Sequence, residues 1–254
     1  MTDNTQRFSS RVDNYVKYRP SYPTAIVGVL RDHYALAPDS VIADVGSGTG
    51  ILSALWLRNG NRVLGVEPNR EMREAGERLL SEYSNFSSVD GTAEATTLAA
   101  GSVDFVSAGQ AFHWFDQPKV RIEWARILKS AGLAVVIWNV RRDDTPFLRD
   151  YEAVLQTYGT DYNAVRHANV QNDDLNLFYG GDSHLHTFAN QQLFDLEGLL
   201  GRVFSSSYTP EPDHPNYAPL RAALQSLFAQ HQTVGQVAFE YETRMYVGRL
   251  ANEQ

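Results

Sequence analysis

The stretch that decides the fold is Asp44-Val45-Gly46-Ser47-Gly48-Thr49-Gly50, which closes an apolar run beginning at Val41. A short apolar run that ends in glycines is typical of a buried parallel strand. The glycines permit a tight turn and let a ligand approach the backbone without a Cβ in the way. We therefore expect a ligand site between this strand and a helix predicted over residues 52–59.

Strand and helix patterns alternate on both sides of this loop. Repeated strand–helix–strand units make a parallel sheet with right-handed crossovers, whereas a two-residue alternation near the C-terminus favours an antiparallel strand. The sequence thus predicts an α/β, Rossmann-like, doubly wound seven-stranded sheet, mostly parallel with an antiparallel C-terminal strand and helices on both faces. Helices are predicted over residues 25–34, 70–83, 118–129, 147–158 and 217–231, and strands over residues 41–45, 62–66, 86–89, 103–107, 133–138, 199–208 and 237–247.

The whole chain, residues 1–254, is expected to form a single domain. Residues 159–185 are polar, aromatic and irregular in pattern, so this part of the chain is expected to form a cap over the sheet edge. The predicted parts are an N-terminal lid and helix, a ligand-binding core, the cap, and closing strands with a helix, over residues 1–35, 36–140, 145–198 and 199–254 respectively.

Composition restricts the possible functions. The chain has a net charge of -8, which argues against a nucleic-acid partner because such proteins usually present a basic face. Cysteine is absent, so disulfides, thiolate zinc sites and a cysteine nucleophile are excluded. The N-terminus is polar, and no apolar run reaches the roughly 18 residues of a membrane helix. We expect a cytoplasmic protein with no membrane segment.

A second acidic residue supports a nucleoside ligand at the glycine loop. Glu67 closes the second predicted strand about 20 residues after Gly46, which is the distance expected for a carboxylate that accepts the hydroxyl protons of a ribose. The other interpretation is a residue beside a helix N-cap. The third glycine of a dinucleotide fingerprint is replaced by Ile51, which argues against NAD, and a carboxylate here rejects the 2′-phosphate of NADP.

Four segments in order resemble the class I S-adenosylmethionine-dependent methyltransferases, and in particular the type 11 family that includes ubiquinone-biosynthesis and trans-aconitate-like enzymes. The Gly-x-Gly-x-Gly loop with Asp44 before it resembles their motif I. Residues 107–116 resemble their A-x-x-A-x-H-W segment, and residues 15–23 resemble their N-terminal lid. Residues 90–94 resemble the segment that faces adenine, although Thr92 stands where aspartate is frequent. Residues 90–94 could instead be a plain turn, and residues 15–23 an aromatic packing cluster.

The resemblance implies S-adenosylmethionine as cofactor, S-adenosylhomocysteine as product and methyl transfer by in-line displacement. It implies that Arg19 pairs with the cofactor carboxylate, that Tyr15 or Tyr18 lines the methyl-transfer channel, and that His113 acts in catalysis. His113 could be a general base or could order its loop. The implied cofactor-binding residues are Tyr18, Arg19, Asp44, Gly46, Ser47, Gly48, Gly50, Glu67, Pro68, Thr92, Ala93, Glu94, Ala108, Gln110 and His113, and the implied catalytic residues are His113 and Tyr18.

The acceptor is expected to be a small molecule, methylated on oxygen, nitrogen or carbon, and the protein a monomer or homodimer. His167, His184 and His186 fit no familiar metal-ligand spacing, so residues 158–186 are interpreted as a polar substrate lid and no metal is expected. Two rival functions remain, namely an S-adenosylmethionine-binding pseudoenzyme or sensor and, less favoured, an NAD-dependent oxidoreductase.

Overall fold

The computed structural model describes residues 18–160, 162, 172–206 and 208–250. Its helices are α1 (Ala25–Tyr34), α2 (Ile51–Arg58), α3 (Arg70–Leu79), α4 (Gln117–Ile127), α5 (Pro146–Tyr158), α6 (Asn172–Tyr179), α7 (Leu196–Phe204) and α8 (Tyr217–His231). Its strands are β1 (Val41–Val45), β2 (Arg62–Val66), β3 (Phe86–Val89), β4 (Val103–Gly109), β5 (Leu128–Arg141), β6 (Ser183–Phe194) and β7 (Val237–Gly248).

All seven strands form one sheet in the order β3-β2-β1-β4-β5-β7-β6. Strands β1 to β5 are parallel, and β7 is antiparallel to both of its neighbours, β5 and β6. The carboxyl ends of β1 to β5 and of β6 therefore meet at one edge of the sheet. This architecture confirms the predicted Rossmann-like sheet, and such sheets bind ligands at that edge.

Helices cover both faces of the sheet. On one face, Trp124 of α4 and Tyr179 of α6 pack in a core of buried side chains with Phe112. On the other face, Leu30 of α1 and Trp56 of α2 pack in a second core. A third core lies between α5, α7, α8 and the start of β7.

Two predictions in the C-terminal half are wrong. Residues 199–208 were expected as a strand, but Leu199 lies in helix α7, whose first turn is capped by the Asp195 carboxylate accepting from Gly198 N at 2.7 Å. The buried Leu199 and Val203 are four residues apart, which is a helical spacing.

The seventh strand is instead β6, inside the region expected to be a cap. β6 pairs along its full length with β7 and is the edge strand of the sheet, and its exposed side chains include both the polar His184 and Gln191 and the apolar Leu185. Residues 159–185 also contain α6, although they were expected to be irregular. Within the described residues, no helix has the length and apolar character needed to cross a membrane.

Candidate functional site

The glycine loop turns sharply at the carboxyl end of β1. Gly46, Gly48 and Gly50 have φ angles of 68°, 56° and 86°, in the left-handed region that other residues adopt only with strain. The amides of Gly46 and Ser47 donate to Val66 O at 2.9 and 3.1 Å, which fixes the loop against β2. A Cβ added to Gly46 would lie 2.8 Å from the Cβ of Ala111, so space as well as φ requires glycine there.

Glu67 faces this loop from the end of β2. Its Oε2 accepts from Gly48 N and its Oε1 accepts from Asn69 N, both at 2.9 Å. Burial raises the pKa of the carboxyl group, and the two backbone hydrogen bonds offset only part of that effect. The predicted nucleoside-binding acid and the glycine loop are therefore adjacent, and Pro68 follows directly.

Asp44 lies beneath the loop, fully buried. Its Oδ2 accepts from Ser53 Oγ at 2.6 Å and its Oδ1 accepts from Ser107 Oγ at 3.0 Å, and Ser107 Oγ in turn accepts from Trp56 Nε1 at 3.1 Å. Burial raises the pKa of Asp44 to about 6 against the opposing effect of these hydroxyl donors. Asp44 thus links β1 to α2 and β4 through the protein interior, whereas Glu67 lies at the loop itself.

The segment after β3 closes the side of the site next to α4. Ala93 is buried in the core, whereas Thr92 is exposed, and Thr92 and Ala95 form an isolated antiparallel bridge. Glu94 Oε1 accepts from Asp116 N at 3.0 Å, which ties this segment to the start of α4. Asp90 accepts from Arg73 of α3 at 3.0 Å.

The segment after β4 is held by an amide clamp that sequence reasoning did not anticipate. Gln110, whose φ of 55° is left-handed, accepts through Oε1 from Asn139 N at 2.9 Å and donates through Nε2 to Asn139 O at 3.4 Å. The neighbouring Ala108 is fully buried. The clamp fixes the carboxyl end of β4 relative to that of β5.

His113 follows this clamp in a short 3₁₀ helix, Phe112–Trp114, with its ring centroid 4.7 Å from that of Trp114. Burial lowers the pKa of His113 to about 4. Its imidazole is therefore neutral at physiological pH and is a weak proton acceptor. Trp114 is 40% exposed at the same edge of the sheet.

Tyr18 and Arg19 lie next to α7 and to the segment that follows it. Tyr18 is buried in the third core and packs so closely on α7 that a Cβ added to Gly201 would lie 2.1 Å from its ring. Arg19 is close enough to Tyr208 to contribute to lowering its pKa. Tyr22 instead covers the end of β4, since a Cβ added to Gly109 would meet its hydroxyl at 2.5 Å. Tyr15 lies outside the described residues.

The described residues contain no group of three or more histidine, aspartate or glutamate side chains arranged to hold a metal ion. His186 and His184, which were weighed as part of a polar lid, lie on edge strand β6, and His186 Nε2 is 2.8 Å from Tyr34 Oη. His167 is outside the described residues.

Residues 43–136 match the family model described as a methyltransferase domain. The chain is 30% identical over 155 residues to an uncharacterised methyltransferase-like protein of Schizosaccharomyces pombe, a match that covers 61% of this chain and 59% of that one. It is 32% identical over 164 residues to an uncharacterised methyltransferase of Mycobacterium tuberculosis, covering 65% of this chain and 63% of the relative. The matches thus span about three fifths of the length of these relatives.

Solved methyltransferase structures share the fold. A candidate type II methyltransferase of Anaeromyxobacter dehalogenans superposes with a TM-score of 0.66 at 19% identity, covering 93% of this chain and all of that one. Geranyl diphosphate C-methyltransferase of Streptomyces coelicolor, in complex with Mg2+, geranyl diphosphate and S-adenosyl-L-homocysteine, superposes with a TM-score of 0.51 at 19% identity, covering 89% of this chain and 79% of that one. At this identity the likeness shows the class I methyltransferase fold.

Proposed function

We propose that this chain, which carries a methyltransferase domain over residues 43–136, transfers the methyl group of S-adenosylmethionine to a small-molecule acceptor. The observation that carries the proposal is the approach of Glu67 Oε2 to Gly48 N, at 2.9 Å, across a loop whose three glycines are all left-handed. A carboxylate at this position can accept both hydroxyl protons of a ribose, and the bare loop lets the cofactor approach the backbone.

The cofactor would lie along the carboxyl ends of β2, β1 and β4. We assign Glu67 and Pro68 to the ribose, residues 46–50 to the methionine portion, and Thr92, Ala93 and Glu94 to adenine. Ala108, Gln110 and His113 follow β4 on the other side of the loop. Asp44, with both oxygens engaged inside the protein, is assigned to positioning the loop. Tyr18 and Arg19 lie beside α7 and Tyr208, so we assign them to the acceptor side.

When bound, the cofactor supplies a methyl group on a cationic sulfur, which an acceptor atom attacks in line. The C–S bond breaks as the bond from carbon to the acceptor forms, S-adenosylhomocysteine leaves, and the acceptor loses a proton if it carried one. Most of the rate comes from holding the acceptor behind the methyl group and excluding water. The ring of Phe115 lies against Gly46 and packs on the core beneath the loop.

Calorimetric titration with S-adenosylmethionine, S-adenosylhomocysteine and NAD tests the cofactor assignment. We expect the first two to bind and Glu67→Ala to weaken S-adenosylhomocysteine binding about 100-fold, because two charged hydrogen bonds to ribose are lost. Glu74→Ala, which removes an exposed carboxylate of the neighbouring α3, is the matched control and should leave the affinity unchanged.

Two outcomes of these measurements would contradict this proposal and indicate a different function. Binding of NAD alone would indicate an oxidoreductase. Tight binding of both adenosyl compounds, with no transfer of labelled methyl to any acceptor in a broad screen, would indicate a cofactor-binding sensor.

A further inference from the structure

The two edges of the sheet differ in how they are protected from pairing with another chain. One edge strand is β3, which has four residues, and the other is β6, which has twelve. Edge strands expose unpaired backbone N–H and C=O groups, and proteins limit pairing there by keeping such strands short, bulged, charged or interrupted by proline. The short β3 follows this rule, so β6 is the edge that requires an explanation.

Strand β6 has none of the usual protections. Its sequence, Ser183–Phe194, contains no Lys, Arg, Asp, Glu, Pro or Gly. It pairs with β7 residue by residue from end to end, so no bulge bends it away from a partner. In the described part of the chain, no hydrogen bond from another segment reaches its outer backbone groups. About 40 Å of regular, uncharged backbone is therefore open for pairing.

One face of β6 is already used by the chain itself. Alternate side chains of a strand point to opposite faces of the sheet. On one face, the side chain of Asn190 donates to Ser21 O at 2.8 Å, and the side chain of Gln192 donates to Tyr18 O at 3.3 Å. A partner would therefore meet the outer backbone groups and the opposite face, which we call the outer face of β6.

The outer face of β6 has the same chemical order from either end. Its residues are all exposed, and they are Leu185, Thr187, Ala189, Gln191 and Leu193. A leucine lies at each end of the series, 49% and 53% exposed respectively, and a polar residue separates each leucine from the central alanine. An antiparallel contact between two copies would match such a series with itself.

Geometry restricts how two copies can pair. Two antiparallel edge strands of one continuous sheet are related by a twofold axis perpendicular to the sheet, which keeps the outer faces of both copies on the same side. Directly opposed residues point to the same side, so an outer-face residue can oppose only another outer-face residue. With the axis at Ala189, Leu185 opposes Leu193 of the second copy, and symmetry makes this contact twice.

Neighbouring registers lose the match between leucines. An axis at Phe188 would place Leu185 opposite Gln191 of the second copy. An axis at Asn190 would place Leu185 opposite Asp195, a charged residue just beyond the strand. The register centred on Ala189 is therefore the one that pairs apolar with apolar side chains.

The charges around the strand permit this approach. In the register centred on Ala189, Asp195 opposes Ser183 of the second copy and not another acid. One strand further in, Arg244 of β7 is paired with Glu242 at 2.5 Å. Since each chain has a net charge of -8, an uncharged edge is where two copies can approach with little repulsion.

We propose that two copies of this chain associate through β6, antiparallel about a twofold axis at Ala189, and thereby join their seven-stranded sheets into one continuous sheet. A second copy is the partner that the symmetric order of the outer face fits, because a different protein would require no such symmetry. The contact buries on the order of 1,000 Å², at the lower end for specific interfaces, so we expect a dissociation constant of roughly 1–100 µM. This inference does not depend on the methyl-transfer proposal.

Sedimentation equilibrium of the full chain, from about 1 to 300 µM, tests the association. The apparent mass should rise with concentration from that of one chain towards that of two. Ala189→Lys places two like charges face to face at the axis and should weaken the association at least about tenfold. Ser87→Lys, which adds the same charge at an exposed position of the other edge strand, β3, is the matched control and should leave it unchanged.

Disulfide crosslinking measures the register, because the chain has no native cysteine. Ala189→Cys should form a disulfide-linked dimer under mild oxidation, since opposed Cα atoms of an antiparallel pair lie about 4.5–5.5 Å apart. Leu185→Cys alone should not crosslink, because its two copies would lie about 27 Å apart. An equal mixture of Leu185→Cys and Leu193→Cys should crosslink.

Several results would overturn the proposal. They are a monomer over the whole concentration range, equal effects of the two lysine variants, or crosslinking of Leu185→Cys to itself in preference to Ala189→Cys. Capture of a different protein by β6, with the chain itself monomeric, would reject a second copy as the partner. If Ala189→Lys does not fold, crosslinking of Ala189→Cys, which adds a single sulfur atom, decides between association through β6 and its absence.

Discussion

The two halves of the sheet edge differ in how their buried charges are paired. On the side of β1 and β2, the buried ionisable groups are the carboxylates Asp44 and Glu67, whereas beyond β5 they are Glu152 and Arg202, with the half-buried Arg141 paired to Glu152. A cationic sulfonium cofactor on the first side would meet the complementary charge of these carboxylates.

The halves also differ in how they stabilise a buried acid. Asp44 accepts side-chain hydrogen bonds only from the neutral hydroxyls of Ser53 and Ser107. Burial of its negative charge therefore still costs free energy in the folded protein. Glu152 accepts from the guanidinium of Arg141, so each charge offsets the burial of the other. Neutralising the two acids should therefore change stability in opposite directions.

Glu152→Gln should have the larger effect. Glutamine keeps the size and a hydrogen-bonding oxygen but leaves Arg141 without its opposite charge, which we expect to lower the free energy of unfolding by about 3 kcal/mol. Urea denaturation at pH 7 measures the loss. Glu74→Gln, which breaks the exposed pair with Arg70 at 2.7 Å, is the control and should change the stability very little. Equal effects of the two variants would contradict the contrast between the halves.

Asp44→Asn should instead stabilise the protein at neutral pH. The pKa of Asp44 is raised to about 6 in the folded state, so folding favours its protonated form. The stability is thus reduced as pH rises from about 4 to 6 and the acid ionises. We expect the variant to be about 1–2 kcal/mol more stable at pH 7 after loss of one hydroxyl hydrogen bond, and the gain to disappear below pH 4. A destabilised variant at pH 7 would show that the charge itself is needed for folding.

The first half of the molecule could be predicted from sequence because its signals are local. The left-handed turns at Gly46, Gly48 and Gly50 need glycine, and Glu67 closes a strand at a fixed distance along the chain. The order of the parallel strands follows from repeated crossovers with one handedness. These features depend on residues within one strand–helix unit.

The second half depends on contacts between distant residues. Edge strand β6 contains many polar residues, among them His184, Asn190 and Gln191, so its sequence resembled a loop, and helix α7 had apolar residues that also suited a strand. The pairing of Arg141 with Glu152 and the position of Arg202 beside Tyr241 arise only when α5, α7 and β7 pack together. Tyr18 illustrates the same limit, since its motif gives no sign of the packing of its ring against Gly201 of α7.

Substitution of His113 is expected to have the smallest effect. It is a further test of the half of the sheet edge that contains Asp44 and Glu67. Burial lowers its pKa to about 4, so it remains neutral from pH 5 upward and has little driving force to accept a proton. We therefore propose that it orders the loop after β4, and we expect His113→Gln to change kcat by about threefold or less with no change in the pH profile between 5 and 8. A general base would be worth about 100-fold or more, so a loss of that size, together with the disappearance of an acidic limb, would assign proton transfer to His113. The outcome also bears on the acceptor, because an enzyme without a base suits a nucleophile that is already deprotonated, such as an organic anion whose own carboxylate is methylated.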